Sequence, residues 1–120
     1  MVFTTVGKEM VAYRLGSDIA YPVAYAIGTG SAAVTATGSA LTTESDRQNF
    51  TGSPNFTEAR KVKFQSNWNS IEMSGTTLTE WGVFDNSTAS TGSMYQREGF
   101  AGIEFDGTNE LQIETTWEVL

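Results

Sequence analysis

The chain of 120 residues contains neither cysteine nor histidine. Without cysteine there is no disulfide, no thiolate nucleophile and no cysteine metal site, so stability has to come from a packed core. Without histidine, the commonest general base and the commonest transition-metal ligand are missing, and no Ser-His-Asp or Cys-His site can form. Carboxylates are then the candidates for acid–base catalysis.

Basic residues are scarce as well. Seven lysines and arginines oppose fourteen aspartates and glutamates, which gives a net charge of −7. Such a surface repels nucleic acids and anionic lipids. The densest basic cluster, Arg60, Lys61 and Lys63, falls in a predicted strand and forms no basic stripe. We therefore expect no nucleic-acid partner.

Long apolar runs are also absent from the first twenty residues. Lys8, Glu9, Arg14 and Asp18 interrupt this segment, so it has neither the apolar stretch of a signal peptide nor a membrane span. We expect a protein made in a cytoplasm, with no membrane partner.

Apolar and aromatic residues are sufficient for one core, at 39% and 12% of the chain. From residue 21 onward, apolar side chains recur at every second position, the period of a β-strand. Strands are predicted at 21–27, 60–68, 78–85, 94–100 and 111–119, with a weak segment at 40–47 and a further strand beginning at Ile103 and Phe105. About seven short strands predict an all-β fold, an antiparallel, jelly-roll-like β-sandwich forming a single domain over residues 1–120.

Two strands have the clearest faces. Residues 60–68 place apolar side chains on one face and lysine, glutamine and asparagine on the other, and residues 111–119 do the same with glutamates. We expect Trp68 and Trp117 to lie in the core.

The N-terminal segment has a different period. Val6, Met10 and Tyr13 lie at i, i+4 and i+7, which predicts one short helix over residues 5–19. Residues 1–20 are therefore interpreted as an N-terminal helical arm of the sandwich.

Two groups of apolar residues are candidates for contact with another subunit. Strand 78–85 carries apolar side chains in both phases, so both of its faces need to be covered, one by the second sheet and the other by the arm or a neighbour. The interface candidates are Met10, Val11, Tyr13, Trp81, Val83 and Phe84.

No catalytic, cofactor or metal site is predicted. Gly28-Thr29-Gly30 lacks the third glycine of a dinucleotide fingerprint. Among the carboxylates Glu80, Asp85, Glu98 and Glu104, the first two lie at opposite ends of one strand, and a chain of this size rarely forms a sugar cleft. The chain is therefore predicted not to be an enzyme.

Two oxygen-rich turns are the candidate calcium sites. Residues 85–87 and 106–110 do not have the spacing of an EF-hand loop, and Asx turns explain both.

Several motifs follow one another in an order that is similar to a known family. They are Tyr25-Ala26-Ile27-Gly28-Thr29-Gly30, Ala40-Leu41-Thr42-Thr43-Glu44 with Arg47, Leu78-Thr79-Glu80-Trp81-Gly82-Val83-Phe84-Asp85, and Gly92-Ser93-Met94. The chain resembles small virion proteins from tailed viruses of bacteria and archaea. Their pattern reads roughly "I-A-L-G-T-G … A-L-x-x-E … R … I-T-E-A-G-L-F-D … G-x-M … R … F", and Trp81 departs from its small residue.

The resemblance implies a structural role in a virion that is assembled in the host cytoplasm. The protein would be an assembly or decoration module of the tail, baseplate, fibre attachment or capsid surface, in contact with other virion proteins and copies of itself. The second hypothesis is a carbohydrate-binding module that attaches to a host-surface glycan. Exposed aromatic residues in one patch, with Trp68, Trp81 and Trp117 as candidates, would favour it.

Overall fold

Seven strands form two antiparallel sheets in the part of the chain that the structure, a computed structural model, describes, residues 2–7, 21–52 and 61–118. The predicted all-β, sandwich-like fold is confirmed. The elements are β1 Val2–Phe3, β2 Ala24–Gly28, β3 Glu44–Asn49, β4 Lys61–Trp68, α1 Ser70–Met73, β5 Thr77–Phe84, β6 Met94–Glu104 and β7 Leu111–Glu118. The larger sheet has the order β1-β6-β5-β2-β3, and β4 pairs with β7 to form the smaller one.

Strand β2 lies inside the larger sheet and is buried on both faces. Tyr25 and Ile27 belong to the core between the two sheets. Ala24, Ala26 and Gly28 occupy the opposite, outer face, where small residues let a covering loop approach closely. The large residues of β2 thus pack toward the smaller sheet, and the small residues lie beneath the covering loop.

The core between the sheets is rich in aromatic rings. Tyr25 packs edge-on against Phe50 at 5.0 Å, Phe50 stacks on Phe64 at 4.6 Å, and Phe64 meets Trp117 at 4.9 Å between ring centroids. These contacts connect β2 of the larger sheet with β4 and β7 of the smaller one, and such pairs stabilise beyond the apolar area they bury.

The Tyr25 hydroxyl adds a polar link between the sheets. It donates to the Phe64 carbonyl at 3.1 Å and shares a short hydrogen bond with the Thr115 hydroxyl. Burial, with the nearby Glu114 charge, raises the pKa of Tyr25 to about 12, although the bonds with Thr115 oppose the shift. The phenol therefore stays neutral and available as a donor.

Both predicted core tryptophans lie where the sequence placed them. Trp68 is buried and donates its indole N–H to Asp46 on β3 at 2.8 Å. Trp117 is half-buried, packs into the core and donates to the Gln96 side-chain oxygen on β6. Each indole thus carries a hydrogen bond from the smaller sheet to the larger one.

The outer face of the larger sheet is covered by the chain itself. Ala26, Phe84 and Met94 form a second apolar cluster with Leu41, which belongs to the loop of residues 29–43. Leu41 of this loop thus covers apolar residues that the sequence analysis assigned to the N-terminal arm or to a neighbouring subunit.

One strand boundary was predicted wrongly. Ile103 begins no new strand: it is part of β6, where it pairs with Leu78. Phe105 follows β6, and its backbone exchanges hydrogen bonds with Thr76 and Gly75. Ile103 and Phe105 therefore lie at the end of a long strand and not at the beginning of a new one.

Helix α1 is four residues long. Asn69 and Glu72 form a capping box at the start of α1, a signal present in the sequence as Asn-x-x-Glu but not used in the prediction. At the N-terminus, Val2 and Phe3 pair with β6 and residues 5–7 are helical, while the rest of the helix predicted over 5–19 lies outside the described residues. No helix in the described part has the length and apolarity that crossing a membrane requires.

Replacing Trp117 tests the aromatic core. Its ring contacts Phe3 and Phe64 at 4.9 Å and Tyr95 at 5.6 Å, so we expect Trp117→Ala to lower the free energy of unfolding by about 3–5 kcal/mol. Trp117→Phe keeps a ring but loses the bond to Gln96, and should lower it by about 1–3 kcal/mol. Urea unfolding measures both, and an unchanged midpoint for the alanine variant would contradict this packing.

Candidate functional site

A buried ion pair lies on the outer face of the larger sheet. Glu80 on β5 is fully buried, and Arg97 on the neighbouring strand β6 is 4% exposed. The Glu80 Oε2 atom accepts hydrogen bonds from Arg97 Nη2 at 2.6 Å and from Arg97 Nε at 3.2 Å. Because both ions have left water, the pair needs further hydrogen bonds to be tolerated.

The carboxylate of Glu80 receives those bonds from the covering loop, residues 29–43. Its Oε1 accepts from the backbone N–H groups of Thr43 at 2.8 Å and Gly30 at 3.3 Å, and its Oε2 from that of Thr42 at 3.1 Å. Burial by itself raises the pKa of Glu80, but the bonds from Thr43, Arg97 and Thr42 outweigh it and hold the pKa below its usual value. Glu80 therefore stays ionised and anchors both ends of the loop.

Arg97 donates hydrogen bonds to residues near both ends of the same loop. Its Nη2 donates to the Ala32 carbonyl at 3.1 Å and to the Thr42 hydroxyl at 3.2 Å, and its Nη1 donates to the Ala33 carbonyl at 3.3 Å. The planar guanidinium thus binds Glu80 on one side and loop carbonyls on the other.

The glycines of the Gly28-Thr29-Gly30 motif make room for this carboxylate. A Cβ atom at Gly28 would lie 2.5 Å from Glu80 Oε1, and one at Gly30 would lie 2.8 Å from the same atom. The motif does bring a backbone N–H to an anion, but the anion is a side chain of the protein and not a phosphate. The prediction that it is no nucleotide loop agrees with this geometry.

A second ion pair performs the same task for the loop of residues 85–93. Arg47 and Glu44 on β3 form a bidentate pair, with donor–acceptor distances of 2.7 and 3.0 Å. Arg47 Nη1 also donates to the carbonyls of Asn86 at 2.9 Å and Thr91 at 2.8 Å. Its guanidinium lies 3.8 Å from the centroid of the Phe84 ring.

The ends of this second loop are joined by Asp85. Its Oδ1 accepts from the backbone N–H of Ser93 at 2.7 Å. Gly92, at a φ of 81°, lies so close that a Cβ would be 2.7 Å from that oxygen. The backbone N–H of Ser90 donates to Glu44 Oε1 at 3.3 Å.

These contacts account for most of the residues that carry the resemblance. Polar and glycine positions of the pattern form two groups of contacts, one around Glu80 and one around Arg47, which together we call the ionic framework, and Met94 packs in the apolar cluster beside them. The framework comprises Gly28, Gly30, Glu44, Arg47, Glu80, Asp85, Gly92 and Arg97. The framework fastens two loops, residues 29–43 and 85–93, to the larger sheet.

The individual charges of the framework were visible in the sequence, but their pairing was not. Glu80 was considered as one of several carboxylates, and no partner was assigned to Arg97. One signal was available: Glu80 shares the phase of Gly82 and Phe84, so it falls on a face that is otherwise apolar. A charged residue in that phase indicates a buried partner of opposite charge.

The two oxygen-rich turns of the sequence hold hydrogen bonds within their own loops. Asp106 accepts from the N–H of Thr108 at 3.0 Å and Asn86 accepts from that of Thr88 at 2.7 Å, the bonds of Asx turns. The Thr108 hydroxyl and N–H lower the pKa of Asp106. Within residues 2–7, 21–52 and 61–118, no group of three or more acidic side chains could hold a metal ion.

The predicted interface residues occupy three different environments. Val83 is fully buried in the core between the sheets, and Phe84 is buried in the outer cluster beneath Arg47. Trp81 is half-buried and packs edge-on against Tyr25 at 5.7 Å. Met10, Val11 and Tyr13 lie outside the described residues, and contact with another chain stays a prediction.

Trp81 also lines a groove between the two sheets. This groove, which we call the β6–β7 groove, has a volume of about 320 Å³. Its walls include Trp81, Phe100, Ile103, Leu111, Gln112 and Glu114. It combines an apolar interior with two polar side chains on strand β7.

Comparison with known proteins gave no match to a family model, a curated protein or a solved structure.

Removing one partner of the buried pair should be strongly destabilising. Arg97→Met leaves Glu80 buried without its cation, and we expect the free energy of unfolding to fall by about 3–5 kcal/mol. Lys63→Met is the matched control, because Lys63 pairs with Glu114 at 3.3 Å on the surface and should change it by less than about 1 kcal/mol. Equal urea midpoints for the two variants would contradict the role of the framework.

The same pair predicts a dependence of stability on pH. The folded-state pKa of Glu80 is lowered, so its contribution is present above the unfolded-state pKa, roughly 4.3, and is lost as the pH falls through the folded-state value. The difference in free energy of unfolding between the wild type and Glu80→Gln should therefore shrink as the pH falls from about 6 to about 3, the range in which carboxyl groups ordinarily titrate. A difference that stays constant would show that Glu80 does not titrate as the ion pair requires.

Proposed function

We propose that the protein is a virion structural protein of a tailed virus, acting as an assembly or decoration module of the tail, baseplate, fibre attachment or capsid surface. The observation that carries this proposal is the ionic framework. Several of the residues that carry the resemblance to the virion family take part in fastening the two loops to the larger sheet.

The role of these residues fits an assembly module better than an enzyme. An active site needs a reactive group that substrate can reach. The most buried carboxylate, Glu80, accepts hydrogen bonds from Arg97 and from three backbone N–H groups beneath the loop of residues 29–43.

The proposed partners are other virion proteins and further copies of this chain. Closed symmetry lets one surface patch serve every copy. A net charge of −7 limits unwanted association in the host cytoplasm, where the particle would be assembled.

The alternative is a carbohydrate-binding module for host attachment. The β6–β7 groove supports it in part, because it places the Trp81 ring beside the amide of Gln112 and the carboxylate of Glu114. However, Trp68 is buried and Trp117 packs in the core, so the three tryptophans do not form one exposed platform.

Imaging of the virus that encodes the chain tests the proposal. We expect antibody against the purified chain to label intact particles at symmetric positions, and a particle structure to contain it in contact with another subunit. The N-terminal candidates Met10, Val11 and Tyr13 and strand residue Trp81 are expected in those contacts. Detection only outside particles would overturn the proposal, whereas glycan binding that is lost in Trp81→Ala would favour the alternative.

A further inference from the structure

Two strand edges that have no strand partner among the described residues border the β6–β7 groove. Strand β1 pairs with β6 only at Gln96 and Arg97, so within the described residues no strand pairs with the outer edge of residues 99–104. Strand β7 pairs with β4 on one side, and its other edge likewise has no strand partner in the described part of the chain. Edges of this kind can receive an additional strand.

The interior of the groove suits apolar side chains. Leu78 and Ile113 form a buried floor, and Phe100 and Leu111 are half-buried at the sides. Ile103 on β6 leaves half of its surface exposed to solvent. About 320 Å³ of space lies between them, at the lower end of the range for small binding sites.

The charge around the groove is negative. Glu114 lines it, and Glu104 and Glu110 are exposed where β6 ends and just before β7 begins. Lys63 pairs with Glu114 at 3.3 Å, but both side chains keep over 40% of their surface exposed, and none of the described residues that line the groove is basic. Complementarity therefore selects a positively charged occupant, which disfavours a second copy of a chain with a net charge of −7.

We propose that the β6–β7 groove is a docking site for an extended, basic segment of a partner protein. The segment adds as a strand along the edge of β7 that has no strand partner among the described residues, with aliphatic side chains at alternate positions entering the groove. Its lysine or arginine side chains lie near Glu104 and Glu110. Backbone hydrogen bonds supply affinity in such strand addition, and the alternating pockets supply specificity. The site does not rest on the virion assignment.

A peptide titration of the isotope-labelled full chain tests the proposal. The probe is the capped hexapeptide Lys-Val-Lys-Ile-Lys-Val, and its matched control is Glu-Val-Glu-Ile-Glu-Val. We expect the lysine peptide to shift the amide resonances of residues 99–104 and 111–114, with an affinity at least roughly tenfold above that of the control and weaker at high salt. N-methylation of alternate peptide bonds on the edge that faces β7 should abolish binding, because it removes the strand hydrogen bonds.

Two isoleucine variants separate the groove from general surface apolarity. Ile103→Asn should weaken binding of the lysine peptide by roughly tenfold, while Ile71→Asn should leave it unchanged, because Ile71 is 84% exposed and does not line the groove. If Ile103→Asn does not fold, Glu104→Lys combined with Glu110→Lys provides the second test. Those exposed changes should reverse the preference between the two peptides.

Several results would overturn the proposal. They are equal affinity for both peptides, an unchanged affinity in Ile103→Asn, full binding of the N-methylated peptide, or no shift at residues 99–104 and 111–114. Self-association in sedimentation that Ile103→Asn removes would assign the groove to a second copy instead. Shifts of the same amides by glycans alone would assign it to a sugar. None of these results bears on whether the chain is found in virus particles, so the two proposals can fail separately.

Discussion

The buried pair of Glu80 and Arg97 is the constraint on which the outer half of the structure depends. A carboxylate on a face packed against apolar residues would be strongly disfavoured alone, and it is tolerated because a guanidinium and three backbone N–H groups surround it. Those N–H groups belong to residues 29–43, so satisfying the charge also determines where the loop lies. Once the loop is in place, the outer face of the larger sheet is covered. The molecule is therefore layered as smaller sheet, larger sheet and loop, with aromatic packing holding the first two layers and ionic contacts holding the third.

The strands that the sequence predicted well are those with two contrasting faces. Strand β7 has one largely buried face and one exposed face, and strand β4 has one largely buried face and one that is mostly half-buried. Their period of two was therefore readable, and their bounds were nearly correct. Strand β3 gave only a weak signal because its residues are polar, and it is held at the sheet edge by pairing with β2 and by the Arg47 contacts. The boundary near Ile103 was predicted wrongly because the alternation of apolar residues continues through the whole of a long strand. That alternation does not indicate where the strand ends.

The candidate site was less predictable than the fold. Glu80 and Arg97 are 17 residues apart in the sequence. The loop residues whose backbone N–H groups complete the site precede Glu80 by 37 to 50 residues. Which charged residues meet depends on the register between strands, and residue periodicity alone does not determine that register. The β6–β7 groove could not be foreseen either, because it exists only where strand β1 stops short along β6.

The pairing of β1 with β6 also has a consequence for how the chain folds. Val2 meets Arg97, and β4 meets β7 across nearly fifty residues, so few of the sheet contacts are local in sequence. Proteins with such high contact order fold slowly, because long loops must close before the pairing stabilises them. During synthesis, β2, β3 and β5 emerge from the ribosome before Arg97 is available to neutralise Glu80. Glu80 can be buried only once Arg97 is available, and β4 gains its partner only once β7 has been made. The fold is therefore completed after β7 has been translated.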